Sequence, residues 1–375
     1  MSFFLFVKQI VDMLYSYKIL DYFMVGLILF MLVYQIMLVR PDLKEMFTKA
    51  DGIVLAICGL LTISFVKSTS EYETYFKILS AFLMYFVGRI YYERIQECYG
   101  ALVSSVYIVV YLNLFSRISN FGDRLFQVTN AGGDLYYYDT DMAFSMILAF
   151  VFIAMFGKNS VFKLFTILLV CPYMVFYSDA GIQKVLLLVV IAIILVYILE
   201  LVLRKQKLSN IILIGMLTGI IAVVVLLYLP LMGIRDTDKI AGVFNGRFLD
   251  FQNMSARYDA WNEVLELSKE RGILGQIFGN SLSVGAGEGI YVESLYIKTY
   301  YALGWLGLLL ALGMLVAVIR YIVKVKDRKT FYLMVMMVVI LLGTGVAINS
   351  MERVQMSWFP LMFAGMVVSS VREKK

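Results

Sequence analysis

Residues 185–203 read VLLLVVIAIILVYILELVL, and residues 211–229 read IILIGMLTGIIAVVVLLYL. Each run reaches the roughly 20 apolar residues that cross the hydrocarbon of a bilayer. Between them stand only RKQKLSN, at 204–210, with the basic RKQK at 204–207. Two greasy helices joined by a short basic turn decide the fold class. The same pattern extends outward in both directions, with runs at 20–39, 51–67, 75–91, 100–116, 141–156, 159–177, 294–320, 331–348 and 354–371. None alternates polar with apolar as barrel strands do, so the spacing predicts an all-α polytopic membrane protein of about 11–12 transmembrane helices.

Composition agrees. Apolar residues make up 61% of the 375 and charged ones 16%, against about a quarter charged in soluble domains. The net charge of +6 sits in short interhelical turns, as the cytoplasmic turns of membrane proteins require. No basic run is long enough to track phosphates, so no nucleic-acid partner is expected. Cys58, Cys98 and Cys171 lie in apolar segments without metal-ligand spacing and read as free thiols. The absence of histidine removes Ser-His-Asp triads, histidine zinc sites and a histidine base. No metal and no cofactor are expected, and no cleavable signal peptide is apparent.

The first segment, 1–18, places Lys8, Asp12 and Ser16 on one helical face and Phe4, Val7, Val11, Leu14 and Tyr15 on the other. That pattern suits a helix lying in the interface or a first span. Eight spans then occupy 20–229, a large polar loop 230–293, three spans 294–371 and a tail 372–375. Lys and Arg at 204–207, 324–329 and the tail place these turns and the C-terminus in the cytoplasm. Counting spans puts the loop 230–293, the segment 132–141 and the turn 178–184 outside.

Within the loop, SARYDAWNEVLELSKERG at 255–272 reads as a helix, with Ser255 as N-cap and Gly272 as its stop. Tyr258, Trp261, Val264, Leu265 and Leu267 form an apolar stripe, while Asp259, Glu263, Glu266 and Lys269 face water. Arg257 stands one turn before Trp261 in the first helical turn, where exposed N–H groups favour an anion. A guanidinium there is suited to gripping a diphosphate, and a salt bridge to Asp259 or Glu293 is the plain alternative. Glu293 arrives at the mouth of the next span, a costly depth for a carboxylate. It serves either as a proton acceptor, beside Glu288 or Asp259, or as an ion-pair partner of Lys298. Lys184, at the turn after Asp179, either holds phosphate or snorkels to the interface. Asp134 and Tyr137, within GGDLYYYDTD at 132–141, could flank a sugar ring or simply join the aromatic belt.

Arg257 and Trp261, then Gly275 and Gly279, then Gly304 and Gly307, in that order after many spans, resemble the O-antigen ligase and polymerase superfamily (Wzy-type polymerases). Ser178-Asp179-Ala180-Gly181 is similar to the family's Ser-Arg-Gly turn, with Lys184 in place of arginine. The likeness covers about 177–310. It implies a GT-C-like fold in a bacterial cytoplasmic membrane with the active site on the outer face. The activity implied is inverting, metal-independent glycosyl transfer between undecaprenyl-diphosphate-linked oligosaccharides, polymerising surface polysaccharide such as O-antigen or capsule. Arg257 and Glu293 would be the catalytic pair, with Arg257, Arg247, Arg235 and Lys184 on the diphosphate. Asp134, Tyr137, Trp261 and Glu288 would contact glycan. A flippase and a chain-length regulator of the same pathway would be partners. Ligases of this family carry a histidine before the return helix, which this chain lacks.

Other classes stay open on the same residues. They are ligase-type transfer to another acceptor, a transporter of lipid-linked sugar, a metal-dependent enzyme using Glu71 and Glu73, and a non-catalytic scaffold.

Overall fold

The structure, a computed structural model, describes residues 1–13, 18–39, 47–67, 72–119, 139–178, 180–228, 254–280, 282 and 293–372. Of these, 90% are helical and none forms a strand. In chain order the helices are α1 (Ser2–Met13), α2 (Lys18–Val39), α3 (Lys49–Lys67), α4 (Tyr72–Ile90), the short α5 (Tyr92–Glu97), α6 (Tyr99–Ser119) and α7 (Asp139–Phe156). Next, α8 (Val161–Phe165) runs through a π-helical turn (Thr166–Val170) into α9 (Cys171–Tyr177), and α10 (Gly181–Leu203) and α11 (Gln206–Tyr228) follow. The remainder is α12 (Met254–Glu270), α13 (Gly272–Phe278), α14 (Leu295–Ile322), α15 (Arg328–Ala347), a 3-10 turn (Ser350–Glu352) and α16 (Val354–Arg372). Every apolar run expected from hydropathy is a helix, and the bounds agree to within a few residues. Among the described residues, six helices (α3, α6, α10, α14, α15 and α16) are long and apolar enough to cross a membrane. Shorter apolar stretches occupy Tyr22–Leu38, Thr140–Phe156, Val161–Tyr177 and Leu208–Ala222.

Helix starts are written into the sequence. Thr48 and Asp51 close a reciprocal capping box on α3: Thr48 N–H donates to Asp51 Oδ2 at 2.8 Å, and Asp51 N–H donates to Thr48 Oγ1 at 3.3 Å. Asp327 caps α15 by accepting from Thr330 N–H at 2.9 Å, and Ser160 caps α8 through Lys163 N–H at 3.1 Å.

α16 is the hub, with 89% of its apolar window buried. It packs most extensively on α4, and glycine makes that approach possible. A Cβ on Gly88 would stand 1.8 Å from Met362 O, and one on Gly365 would stand 2.0 Å from Tyr85 O. The two backbones therefore touch directly, as small residues permit in helices packed within lipid.

One end of the bundle is fastened by two buried ionic networks. Asp51 accepts from Arg89 Nε at 3.0 Å and Tyr85 Oη at 2.8 Å, and Arg89 Nη1 donates to Ser369 Oγ at 2.7 Å. Glu200 accepts from Arg328 Nε at 2.6 Å, from Arg328 Nη2 at 2.7 Å and from Tyr332 Oη at 2.8 Å. Each carboxylate is met by several donors, the condition under which a buried charge is tolerated. Of the expected basic turns, that at 324–329 adjoins this end, since Lys324 and Asp327 share a small polar cleft with Tyr92 and Ser370.

The first segment turns its polar face toward the protein. Lys8 and Asp12, expected on the polar face of an interfacial helix or a first span, are 1% and 3% exposed. They pair with one another, and the Lys8 ammonium lies 4.6 Å from the centre of the Trp358 ring. α1 packs on α6 and touches α16, so its polar stripe points into the protein. In a lipid-embedded bundle the inward face can be the polar one.

Candidate substrate site at the opposite end of the bundle

The link between α15 and α16, at 348–353, gathers charge from distant parts of the chain. Arg353 donates from Nη1 to Asp141 Oδ1 at 2.8 Å, with Asp141 1% exposed. Its neighbour Glu352 turns the other way and pairs with Lys298 on α14. Lys8 reaches the Val354 carbonyl at 3.5 Å, and Lys77 pairs with Glu73 at 2.7 Å. Gln9, Gln355 and Ser350 bring side-chain atoms into the same buried layer without hydrogen-bond partners among the described residues. Gln183, fully buried on α10, is in the same condition. Leu186 packs on Gly343, so Gln183, one turn outward, stands level with the end of α15 and the link beyond it. Buried amides normally find partners, and these reach none among the described residues.

Above this layer α12 lies on the bundle. Tyr258, Trp261, Val264 and Ser268 form its buried face, and the two rings meet edge to face with centroids 5.5 Å apart. Asp259, Glu263, Glu266 and Lys269 are exposed as expected, and Lys269 pairs with Glu266 at 2.7 Å. Burial pushes the Tyr258 phenol up to about 12. The helix begins at Met254, so Ser255 lies inside its first turn and is not the N-cap. Gly272 ends it with φ +71°, the left-handed conformation that glycine supplies without strain.

The glycines beyond it interlock. Gly279 and Gly304 both have positive φ, +69° and +66°. A Cβ on Gly279 would stand 2.2 Å from Ala302 O, and one on Gly304 would stand 2.3 Å from Ile277 O. Asn280 N–H donates to Tyr301 O at 3.1 Å, Lys67 Nζ donates to Gly279 O at 3.0 Å, and α14 is kinked at Gly304. The end of α13 is thus clamped into the kink of α14. Gly275 and Gly307 serve differently, because a Cβ on either would meet a side chain of its own neighbourhood, Arg271 or Leu303. Arg271 lies 4.0 Å from the centre of the Tyr301 ring and donates to its hydroxyl, while its Nη1 is buried without a partner among the described residues.

Beneath the clamp is a cavity of about 350 Å³. Its walls are almost wholly apolar, drawn from α3 (Ile57, Leu61), α4 (Ile78, Phe82), α14, α15 and α16, with Leu282 from the descending loop. Polar groups gather at one end: Lys298, Thr299, Asn349 and Glu352.

Of the residues expected in the site, Arg257 falls in the first turn of α12, though its side chain lies outside the described residues. Arg247, Arg235, Asp134, Tyr137, Glu288, Glu71 and Asp179 lie outside them altogether. Lys184 is half-buried in the first turn of α10, and Glu293 is half-buried just before α14. Lys298, offered by the sequence as a partner for Glu293, pairs with Glu352. Trp261, expected as a glycan contact, is 1% exposed and packs in the buried face of α12. Sequence reasoning missed Arg271, Glu352, Arg353 and the buried amides. Glu352 and Arg353 were visible as adjacent charges between two apolar runs, a signal that deserved weight. Comparison with protein-family models, with curated proteins and with solved structures finds no match.

Proposed function

We propose that this chain is a membrane glycosyltransferase that polymerises oligosaccharide units carried on undecaprenyl diphosphate. In this reading the growing glycan leaves its lipid diphosphate and is joined to a hydroxyl of another lipid-linked unit on the extracytoplasmic side of a bacterial cytoplasmic membrane. The observation that supports it best is the clamp between Gly279 and Gly304. It fixes the end of α13, which follows directly on α12 with Arg257 in its first turn, to the kinked helix that also bears Lys298. Positive charge held in advance on a rigid frame is what departure of a diphosphate needs, and preorganised donors of this kind contribute several kcal/mol each. Arg271, with a buried N–H that has no partner among the described residues, joins Arg257 as a candidate for that role. Glu352 joins Glu293 as a candidate proton acceptor. Asp141 is already committed to Arg353.

The test is polymer formation by purified protein in vesicles supplied with lipid-linked repeat units. Arg257→Ala is expected to abolish long products while leaving the melting temperature unchanged, and added chelator to have no effect. Label that crosses the bilayer without any new glycosidic bond would replace this reading with that of a transporter. Full activity in Arg257→Ala would leave its guanidinium a structural part only.

A further inference from the structure

The short helix α13 carries no charged residue and turns its apolar side chains outward. Ile273 and Leu274 are 76% and 73% exposed, and Ile277 and Phe278 are exposed beside them. Single apolar side chains are common on any surface, but four within seven residues form a patch of the kind that marks an interaction site. The preceding α12 is arranged the other way, with Tyr258, Trp261 and Val264 buried and Asp259, Glu263, Glu266 and Glu270 exposed. One element at this end of the bundle therefore suits an apolar neighbour, while the helix before it suits water.

The depth of the patch follows from the elements to which it is clamped. α14 runs for 28 residues, and hydrocarbon takes up only roughly 20 of them. Counted back from the exposed Arg320 near its far end, roughly 20 residues reach Tyr300 and Tyr301, where Asn280 N–H donates to the Tyr301 carbonyl. Trp305, just past the kink, is exposed, and its ring centroid lies 5.0 Å from that of Tyr300; exposed indoles of spanning helices collect at the membrane boundary. Lys67, the last residue of α3, donates to Gly279 O at 3.0 Å, as a lysine ending a span does when it stretches toward the interface. Deeper along α14, Leu309, Leu312 and Val316 are exposed on a helix of membrane-spanning length and apolarity. The patch on α13 stands at the level where that lipid-facing flank begins.

We infer that α13 is an interfacial foot, with Ile273, Leu274, Ile277 and Phe278 resting among the acyl chains of the adjacent leaflet. Seven residues rise only about 10 Å, too little to cross, and an apolar segment of that length lies along the headgroup boundary. The contact of Gly279 with Gly304 holds the foot at a fixed height, and α12 is carried above it with its carboxylates on the water side. The inference stands whether or not the protein transfers sugar.

Depth is read from nitroxide labels on the full chain in vesicles of phosphatidylcholine and phosphatidylglycerol, with Cys58, Cys98 and Cys171 replaced by alanine. Oxygen concentrates among acyl chains, and a nickel chelate stays in water. Labels on Leu274→Cys and Ile277→Cys are expected to collide more with oxygen than with nickel, approaching Leu309→Cys on the lipid-facing flank, and Glu263→Cys should show the reverse. Trp305→Phe supplies a check that keeps the native cysteines. Its two remaining indoles, Trp261 and Trp358, are buried, so bromines on the acyl chains should quench it little, and adding Leu274→Trp should restore the quenching. Nickel collisions at 274 equal to those at 263 would show a foot standing in water. Exclusion of both reagents at 274 would show one covered by protein, whether a loop of this chain or a second copy. Either result, or quenching that Leu274→Trp does not restore, would overturn the inference.

Discussion

Gly304→Ala offers the sharpest test of how the outer helix is held. Gly304 sits at φ +66° and ψ −166°, a region that is essentially glycine's own and costs other residues about 1–3 kcal/mol. The added methyl would also stand 2.3 Å from Ile277 O and 2.5 Å from Gly279 N. Carbon contacts relax near ~3.5 Å, and both obstacles are backbone, so α13 must withdraw by about 1 Å. Together the two effects should destabilise the clamp by about 3 kcal/mol or more. Gly279→Ala meets the mirror problem, 2.2 Å from Ala302 O. Because both changes break one contact, the double variant should lose distinctly less than the sum of the singles. Hydrogen-exchange mass spectrometry reads this directly: amides of α12 and α13 should exchange faster in either variant, while those of α16 stay protected. Polymer formation should fall with them. Wild-type protection of 254–278 in Gly304→Ala, or strict additivity of the pair, would refute the clamp as what seats α12.

Arg353→Met should cost about 3–5 kcal/mol, because it strands the Asp141 carboxylate in the interior, and Asp141→Asn added to it should recover most of the loss in thermal melts. Gly88→Ala and Gly365→Ala should prevent folding or lower the melting temperature severely, whereas Gly26→Ala and Gly215→Ala, with nothing within 4 Å of the new methyl, should be neutral or mildly stabilising. Tyr258 supplies a pH signature. Its phenol titrates near 10 when unfolded and about 12 when folded, so its stabilising contribution is complete below pH 10 and is lost as pH rises toward 12; Tyr258→Phe should flatten that part of the alkaline melting curve.

The helices were legible because lipid makes length and apolarity almost sufficient evidence. The amphipathic stripe of α12 was equally plain, and Tyr258, Trp261 and Val264 are the residues it buries. What each stripe faces was not legible. Periodicity shows that Lys8 and Asp12 share a face, but cannot say whether water or protein lies beyond it, and here Trp358 does. The pairs Arg353–Asp141 and Lys298–Glu352 join positions far apart in the chain, and no local spacing announces them. The order of the glycines suggested a unit, but that Gly279 and Gly304 meet backbone to backbone, while Gly275 and Gly307 do not, is a fact of tertiary packing.

The contact of α4 with α16 bears on how the cavity could adapt to its contents. Ile78 and Phe82 on one helix and Pro360, Leu361 and Ala364 on the other form one wall, and with peptide groups abutting at Gly88 and Gly365 that wall has no slack. The facing wall on α14 is held as well, because the kink at Gly304 is filled by the backbone of Ile277 and Gly279. Both walls are thus set by backbone contacts, and the width of the chamber is left to side chains such as Leu308, Ala311 and Leu315.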